Sequence, residues 1–222
     1  MIAEQWQAIR ARVDAACERA GRAPGDVTII AVSKTQPVAA IREALAAGAT
    51  EFGENYVQEL VAKRAEVTGA SWHFIGKLQR NKAKLIAGQV ALIHAVDSLE
   101  LAAELGKRAV AMQPILLAVN VAGEATKTGV TAETALDVAR AIAALGNVRL
   151  DGLMTMPPPE LDPRPHFEAL RVLRARLADA LGRPLPVLSM GMSGDFETAI
   201  ACGATHVRIG TAIFGSRPAS SL

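Results

Sequence analysis

Val187-Leu188-Ser189-Met190-Gly191-Met192-Ser193-Gly194-Asp195 and its sequel His206-Val207-Arg208-Ile209-Gly210-Thr211 decide how the whole chain is read. Each is a short apolar strand running into a turn that carries glycine and a hydroxyl. The first turn opens a helix, with Ser193 placed to cap it and with Gly191 and Gly194 allowing close approach of the backbone to a ligand. Backbone N–H groups at such a helix start, together with a serine hydroxyl, make an anion site. Gly210-Thr211 offers the same chemistry one strand later, so two adjacent turns can grip one phosphate. The plainer reading is a strand–helix turn with a cap and no ligand. The rest of the chain has to choose between them.

Working back toward the N-terminus, the same strand–turn–helix unit recurs. Residues 2–20 read as an amphipathic helix with Ile2, Trp6, Ile9, Val13 and Ala16 on one face. A near-continuous apolar strand over 27–32 is of the kind buried on both faces of a parallel sheet. It leads through Ser33-Lys34-Thr35-Gln36-Pro37 into a helix ending at Ala47. Further strands are expected over 50–53, 72–76, 92–96, 115–121 and 150–154. Helices are expected over 54–65, 78–87, 97–110, 132–144 and 165–181. With the two strands first quoted, this makes eight strands, each followed by a helix except the last, which has only the tail 212–222. The N-terminal helix can fill the eighth outer position.

Eight alternating units without a break in composition indicate an α/β chain forming a single closed (β/α)8 TIM barrel, one domain over residues 1–222. Half of the 222 residues are hydrophobic but only 4% are aromatic, in keeping with an Ala-, Val-, Leu- and Ile-rich core. The net charge of +2 points neither to nucleic acid nor to a membrane surface. Cys17 and Cys202 form no metal-type pair, and two thiols in this length fit a reducing compartment. With no signal-peptide pattern and no bilayer-length apolar run, a soluble, cytoplasmic protein is expected. No large apolar patch is evident on the helices, so a monomer is the default.

In a (β/α)8 barrel the loops after the strands form the working face, and phosphate sites lie after strands seven and eight. The Ser193 turn and Gly210-Thr211 fall there. Strand one neighbours strand eight after closure and ends at Lys34, one of seven lysines against seventeen arginines. An amine beside a phosphate grip can form a Schiff base with the carbonyl of a phosphorylated ligand, helped by burial. It can equally be a loop lysine or a counter-charge for phosphate. Arg208, two positions before Gly210, faces the mouth by strand alternation and can pair with phosphate or donate to a ring nitrogen.

These residues sit in blocks that resemble a known family. Ala31-Val32-Ser33-Lys34-Thr35, Phe52-Gly53-Glu54-Asn55-Tyr56-Val57-Gln58-Glu59, Trp72-His73-Phe74-Ile75-Gly76 and Leu78-Gln79-Arg80-Asn81-Lys82 closely resemble the pyridoxal-phosphate homeostasis proteins, the YggS/PROSC family. So do Gly152-Leu153-Met154-Thr155-Met156, Ser189-Met190-Gly191-Met192-Ser193 and Arg208-Ile209-Gly210-Thr211-Ala212-Ile213-Phe214-Gly215. The blocks run in the family's order along essentially the whole chain.

The resemblance implies a fold similar to the alanine racemase N-terminal domain, with pyridoxal 5'-phosphate (PLP) in the barrel mouth. It implies Lys34 as the Schiff-base lysine, Ser193, Gly210 and Thr211 as phosphate ligands, Arg208 facing the pyridine nitrogen, and Asn55 beside the cofactor. Gln36 stands where some relatives carry a second lysine, and Lys77 occupies a variable position. Lys127 matches a loop lysine with a secondary contact to the cofactor, although a solvated charge is the plainer reading.

An arginine opposite the ring nitrogen leaves that nitrogen neutral and the ring a weaker electron sink than a carboxylate would. A racemase also needs a second acid/base, which alanine racemase takes from another domain, whereas here the barrel uses the whole chain. His73, His94 and Tyr56 are candidate substitutes, each with a simpler reading as a hydrogen-bonded rim residue. The leading expectation is therefore a non-enzymatic protein that holds and buffers PLP and delivers it to apo PLP-dependent enzymes. A low-activity single-domain amino-acid racemase and a cofactor-free Schiff-base aldolase for a sugar phosphate are the alternatives.

Overall fold

Pairing of the first strand with the last closes the sheet. In the computed structural model, which describes residues 1–123 and 128–215, eight parallel strands follow one another around a closed barrel in chain order. They are β1 (Thr28–Val32), β2 (Glu51–Glu54), β3 (Ser71–Phe74), β4 (Leu92–Val96), β5 (Gln113–Ala118), β6 (Val148–Met154), β7 (Val187–Ser189) and β8 (His206–Ile209). β1 and β8 register Thr28 with His206, Ile30 with Arg208 and Ala31 with Ile209. The helices are α1 (Ile2–Arg19), α2 (Val38–Ala46), α3 (Val57–Glu66), α4 (Leu99–Arg108), α5 (Ala135–Ala143), α6 (Arg164–Leu181), α7 (Phe196–Ala201) and α8 (Thr211–Phe214). No helix among the described residues is long and apolar enough to cross a membrane.

The sequence periodicity translates directly into burial. α1 buries Trp6, Ile9, Val13, Ala16 and Cys17 and packs on α2, α7 and α8, so it fills the outer position that β8 has no long helix to cover. Outward-facing strand residues such as Ile29, Ala31, Phe52, Phe74 and Ile93 join the helix faces in the main core. Strand alternation turns their neighbours into the barrel.

Four expectations shift, two of them because a polar side chain does structural work. Glu54 ends β2 rather than opening a helix, because its carboxylate is buried against Ser33 and Lys63. β5 begins at Gln113, whose buried amide bonds the Gly88 N–H at 2.9 Å and the Val90 carbonyl at 3.2 Å. The helix expected over 78–87 is only a 3₁₀ turn, Arg80–Leu85, in which Ala83 alone is buried. Its run of Arg80, Asn81, Lys82 and Lys84 lacks the apolar stripe that would hold a longer helix on the sheet. β8 is followed by the short helix α8 rather than by tail alone.

Gly152 is required by the β6–β7 pairing. It registers with Val187, and a Cβ there would lie 1.8 Å from the Val187 carbonyl oxygen. Gly152→Ala is expected to cost about 3 kcal/mol or more, because backbone rather than a flexible side chain must move. Gly146→Ala, whose added methyl meets nothing within 4 Å, should stay within about 0.5 kcal/mol of wild type. Urea unfolding midpoints of the two variants check this.

Candidate functional site

At the C-terminal ends of β1, β2 and β8 lies a cavity of about 280 Å³ that Lys34, Asn55, Ser193, Arg208, Gly210 and Thr211 all line, together with Gln36. The barrel thus brings together all six residues singled out in the sequence, from positions up to 177 apart (211 − 34). Its charged lining side chains among the described residues are Lys34 and Arg208, with no carboxylate. Such a mouth favours an anionic ligand.

The β1 end is held by a buried ionic cluster. Lys63 on α3 donates to Glu54 Oε1 at 2.8 Å, to Glu59 Oε2 at 2.7 Å and to the Ser33 carbonyl at 2.8 Å. The Ser33 hydroxyl reaches Glu54 Oε1 at 2.6 Å, and Glu59 Oε2 also accepts the Thr35 N–H at 2.8 Å. Thr35 is left-handed, φ 62°, a conformation that costs a β-branched residue about 1–2 kcal/mol and persists only when its surroundings impose it. The bonds to Ser33 and Thr35 clamp the backbone on both sides of Lys34. Burial pushes the Glu54 carboxyl above its ordinary 4.5, against the pull of Lys63 and Ser33.

Asn55 follows β2, and its Oδ1 is buried with no protein partner. Gly76 makes room for this loop, since a Cβ there would sit 2.2 Å from the Asn55 carbonyl oxygen. On the opposite wall the Ser193 and Thr211 hydroxyls lie 3.3 Å apart. The backbone N–H groups of Ser193, Gly194, Thr211 and Ala212 donate to no protein acceptor among the described residues. Ser193 does not cap α7. The N-cap is Asp195, whose carboxylate takes the Met192 N–H at 2.6 Å, and this leaves the Ser193 hydroxyl facing the cavity. Gly191 serves packing rather than ligand approach: at φ 93° a Cβ would meet Ala199 at 2.6 Å. Gly194, with nothing within 4 Å of its missing Cβ, leaves the rim open.

Arg208 rises from inside the barrel. It is 4% exposed and donates from Nη1 to Ser189 Oγ at 2.5 Å and from Nη2 to the Thr155 carbonyl at 2.9 Å. Burial lowers it to about 10, so it is still a cation at neutral pH. His73 and His94 are not rim residues: both are buried inside the barrel and hydrogen-bond each other. Tyr56 is exposed and does not line the cavity; it lies with Lys77 at an adjoining surface pocket. Lys127 lies outside the described residues. Among the described residues no group of three or more His, Cys, Asp or Glu is arranged to hold a metal ion.

Three contributors escaped the sequence reading: the Lys63 cluster, Ser189, and the Thr155 carbonyl. Glu59 and Lys63 carry a signal in their i, i+4 spacing. Ser189 carries none beyond a polar residue in an apolar strand.

Residues 5–218 match the family described as alanine racemase, N-terminal domain. The Pyridoxal phosphate homeostasis protein of Pseudomonas aeruginosa is 47% identical, over 97% of this chain and 96% of that one. The chain belongs to the alanine racemase N-terminal domain family and, within it, to the pyridoxal phosphate homeostasis proteins. The structure of PipY from Synechococcus elongatus PCC7942 with PLP bound is 36% identical, covers 97% of this chain and 100% of that one, and superposes with a TM-score of 0.84. Alanine racemase from Corynebacterium glutamicum, at 19% identity and TM-score 0.72, shares the barrel fold, which spans 98% of this chain but 62% of that one.

Lys63→Met is expected to destabilise the protein by about 3 kcal/mol at pH 7, because it strands a buried carboxylate. Glu54 already has a raised folded-state value, so the stability linked to it is present below the unfolded 4.5 and lost as pH rises through the folded value. The deficit of Lys63→Met should therefore shrink on acidification toward pH 4.5 and be largely recovered by adding Glu54→Gln. Denaturant unfolding across that range measures it.

Proposed function

We propose that this protein is a PLP-binding barrel, one domain over residues 1–222, that holds PLP at its mouth and serves in intracellular PLP homeostasis. The observation that carries the reading is the cavity itself: an amine, a buried guanidinium and two adjacent hydroxyl-bearing turns converge there, with no carboxylate among the described residues. The PLP-bound relative PipY, alike along the full chain, supports it.

The residues fit the group. Ser193 and Thr211, with the unengaged N–H groups of their turns, form an anion cradle for the phosphate beside Gly210. Asn55 Oδ1, buried and unpartnered, is an acceptor waiting for a donor on the ligand. Arg208 would offer its remaining N–H groups to the ring nitrogen and, as a cation at neutral pH, would not take a proton from it. The clamped Ser33–Thr35 turn presents Lys34 as the amine. PLP, when bound, would supply an aldehyde with which that amine can condense reversibly, with loss of water. Retention follows more readily than turnover: proton movement at a bound amino acid needs acid/base groups on both faces, and the charged groups lining the cavity among the described residues are Lys34 and Arg208. Such a protein limits free aldehyde in the cytoplasm and hands PLP to apo-enzymes as a monomeric carrier.

Titration of the full chain with PLP is expected to give a visible absorption band that borohydride fixes as a covalent adduct on the Lys34 peptide. Lys34→Ala should lack both. No band in wild type, or an equal reducible band in Lys34→Ala, overturns the assignment. Incubation with L- or D-alanine should leave the enantiomer ratio unchanged, and racemisation lost in Lys34→Ala would instead make the protein an enzyme.

The phosphate grip has its own readout. Ser193→Ala with Thr211→Ala should weaken PLP binding by about tenfold or more, from the loss of charge-assisted hydrogen bonds. Pyridoxal, which has no phosphate, should bind both proteins alike. Equal loss for the two ligands would place the phosphate elsewhere.

A further inference from the structure

Below the cavity the barrel interior is divided. Leu92, Leu116, Ala118 and Met154, on β4, β5 and β6, form a small apolar cluster separate from the main core. Beside Ile30 on β1, other inward positions carry polar groups: Glu51 on β2, His73 on β3, His94 on β4, Ser189 on β7, and His206 and Arg208 on β8. Such interiors are usually filled with branched aliphatic side chains, and a buried polar group is costly unless hydrogen-bonded.

These groups meet in a line, and elementary donor–acceptor rules give the line a direction. A guanidinium only donates, so Ser189 Oγ accepts from Arg208 Nη1 at 2.5 Å and must send its own proton elsewhere. His94 Nδ1 lies 2.8 Å away and is the acceptor. The proton of neutral His94 is then on Nε2, 3.0 Å from His73 Nδ1. That nitrogen accepts in turn, which puts the His73 proton on Nε2, 2.7 Å from Glu51 Oε2. Donation thus runs one way from the guanidinium at the mouth to a carboxylate at the opposite end, and each of these contacts is satisfied. Burial, reinforced by the neighbouring His73, His206 and Arg208, holds His94 well below 6.5 and hence neutral. The His73 hydrogen bond holds Glu51 below its ordinary 4.5 and hence ionised.

We propose that Ser189, His94, His73 and Glu51 are positioning residues for Arg208, a one-way hydrogen-bond relay that ties the guanidinium at the mouth to the protonation of the His73–Glu51 pair at the far end. His73 is faced by Glu51 from β2, His94 from β4 and His206 from β8, with ring centroids 5.2 Å from His94 and 6.3 Å from His206. His206, lowered to about 4 chiefly by burial, adds no charge near neutrality. If His73 takes up a proton, both its nitrogens donate, the bond to His94 must reverse, and His94 Nδ1 then donates to Ser189. Ser189 would face two donors while its own proton loses its acceptor, and the anchor of Arg208 Nη1 is disturbed. Glu51 has a side chain 29% exposed, so the far end is open to solvent protons. What Arg208 faces at the mouth rests on the PLP reading; the relay does not.

The test has two readouts on the full chain. Nitrogen-15 spectra of the imidazoles without ligand should show His94 and His73 both protonated at Nε2 alone near neutral pH. Glu51→Gln should move the His94 ring signals, two links away. His94 protonated at Nδ1, or His94 signals indifferent to Glu51→Gln, overturns the relay. For binding, His94→Phe should weaken PLP by about fivefold to tenfold, the worth of one hydrogen bond to the anchor. His94→Gln, whose amide oxygen can still accept from Ser189, should restore most of that loss. Equal losses in both variants would mean that His94 only fills space. If wild type binds no PLP, the cofactor reading falls, while the unliganded spectra still decide the relay.

Discussion

Closure of the barrel through the β1–β8 pairing is the constraint on which the site depends. It registers Ile30 with Arg208 and Ala31 with Ile209, and so carries the turn holding Lys34 alongside Gly210 and Thr211. Without it the amine would lie at one end of an open sheet and the hydroxyl-bearing turns at the other. α1 supports the closure from outside, burying Trp6, Ile9 and Val13 against the seam where β8 lacks a long covering helix. Loss of a side chain such as Trp6 from such a position typically costs about 3–5 kcal/mol.

Two polar assemblies then set the working end. Outside the barrel wall, Lys63, Glu54 and Glu59 hold the residues flanking Lys34 and sustain a left-handed Thr35. Inside it, Ser189 and the Thr155 carbonyl fix the guanidinium of Arg208, with two histidines behind. Buried charges and imidazoles lose hydration on folding, and hydrogen bonds offset that in both assemblies except at Glu54 Oε2, which is buried without a partner. In both, the hydrogen bonds end on groups that the cavity lining needs in fixed positions. Rigidity at the mouth is bought by buried polarity beneath it.

The chemistry of the mouth is one-sided. Lys34 brings an amine and Arg208 a guanidinium cation, the Ser193 and Thr211 turns offer donors, and no carboxylate lines the cavity among the described residues. That suits a phosphorylated aldehyde kept in place, and it is sparing in the acid/base groups that amino-acid chemistry requires. The family likeness and the local geometry therefore point in the same direction for independent reasons.

The chain by itself determined the architecture, because eight apolar strands alternating with amphipathic helices have few ways to bury their faces other than a closed barrel. It also determined which turns reach the mouth: strand alternation and the position of the last two strands place Ser193, Arg208, Gly210 and Thr211 without reference to any contact. It did not determine how polar side chains meet across the barrel. Period-two alternation says that His73, His94, Ser189 and Arg208 face inward, but closure and strand register decide which of them touch. For the same reason Ser193 looks like a cap in the sequence, while Asp195 takes that place in the fold. The helix expected over 78–87 failed because too few of its residues could be buried, and Glu54 stayed in its strand because a lysine nine residues away neutralises it. Local pattern sets the face of each element, and only tertiary packing supplies the partner.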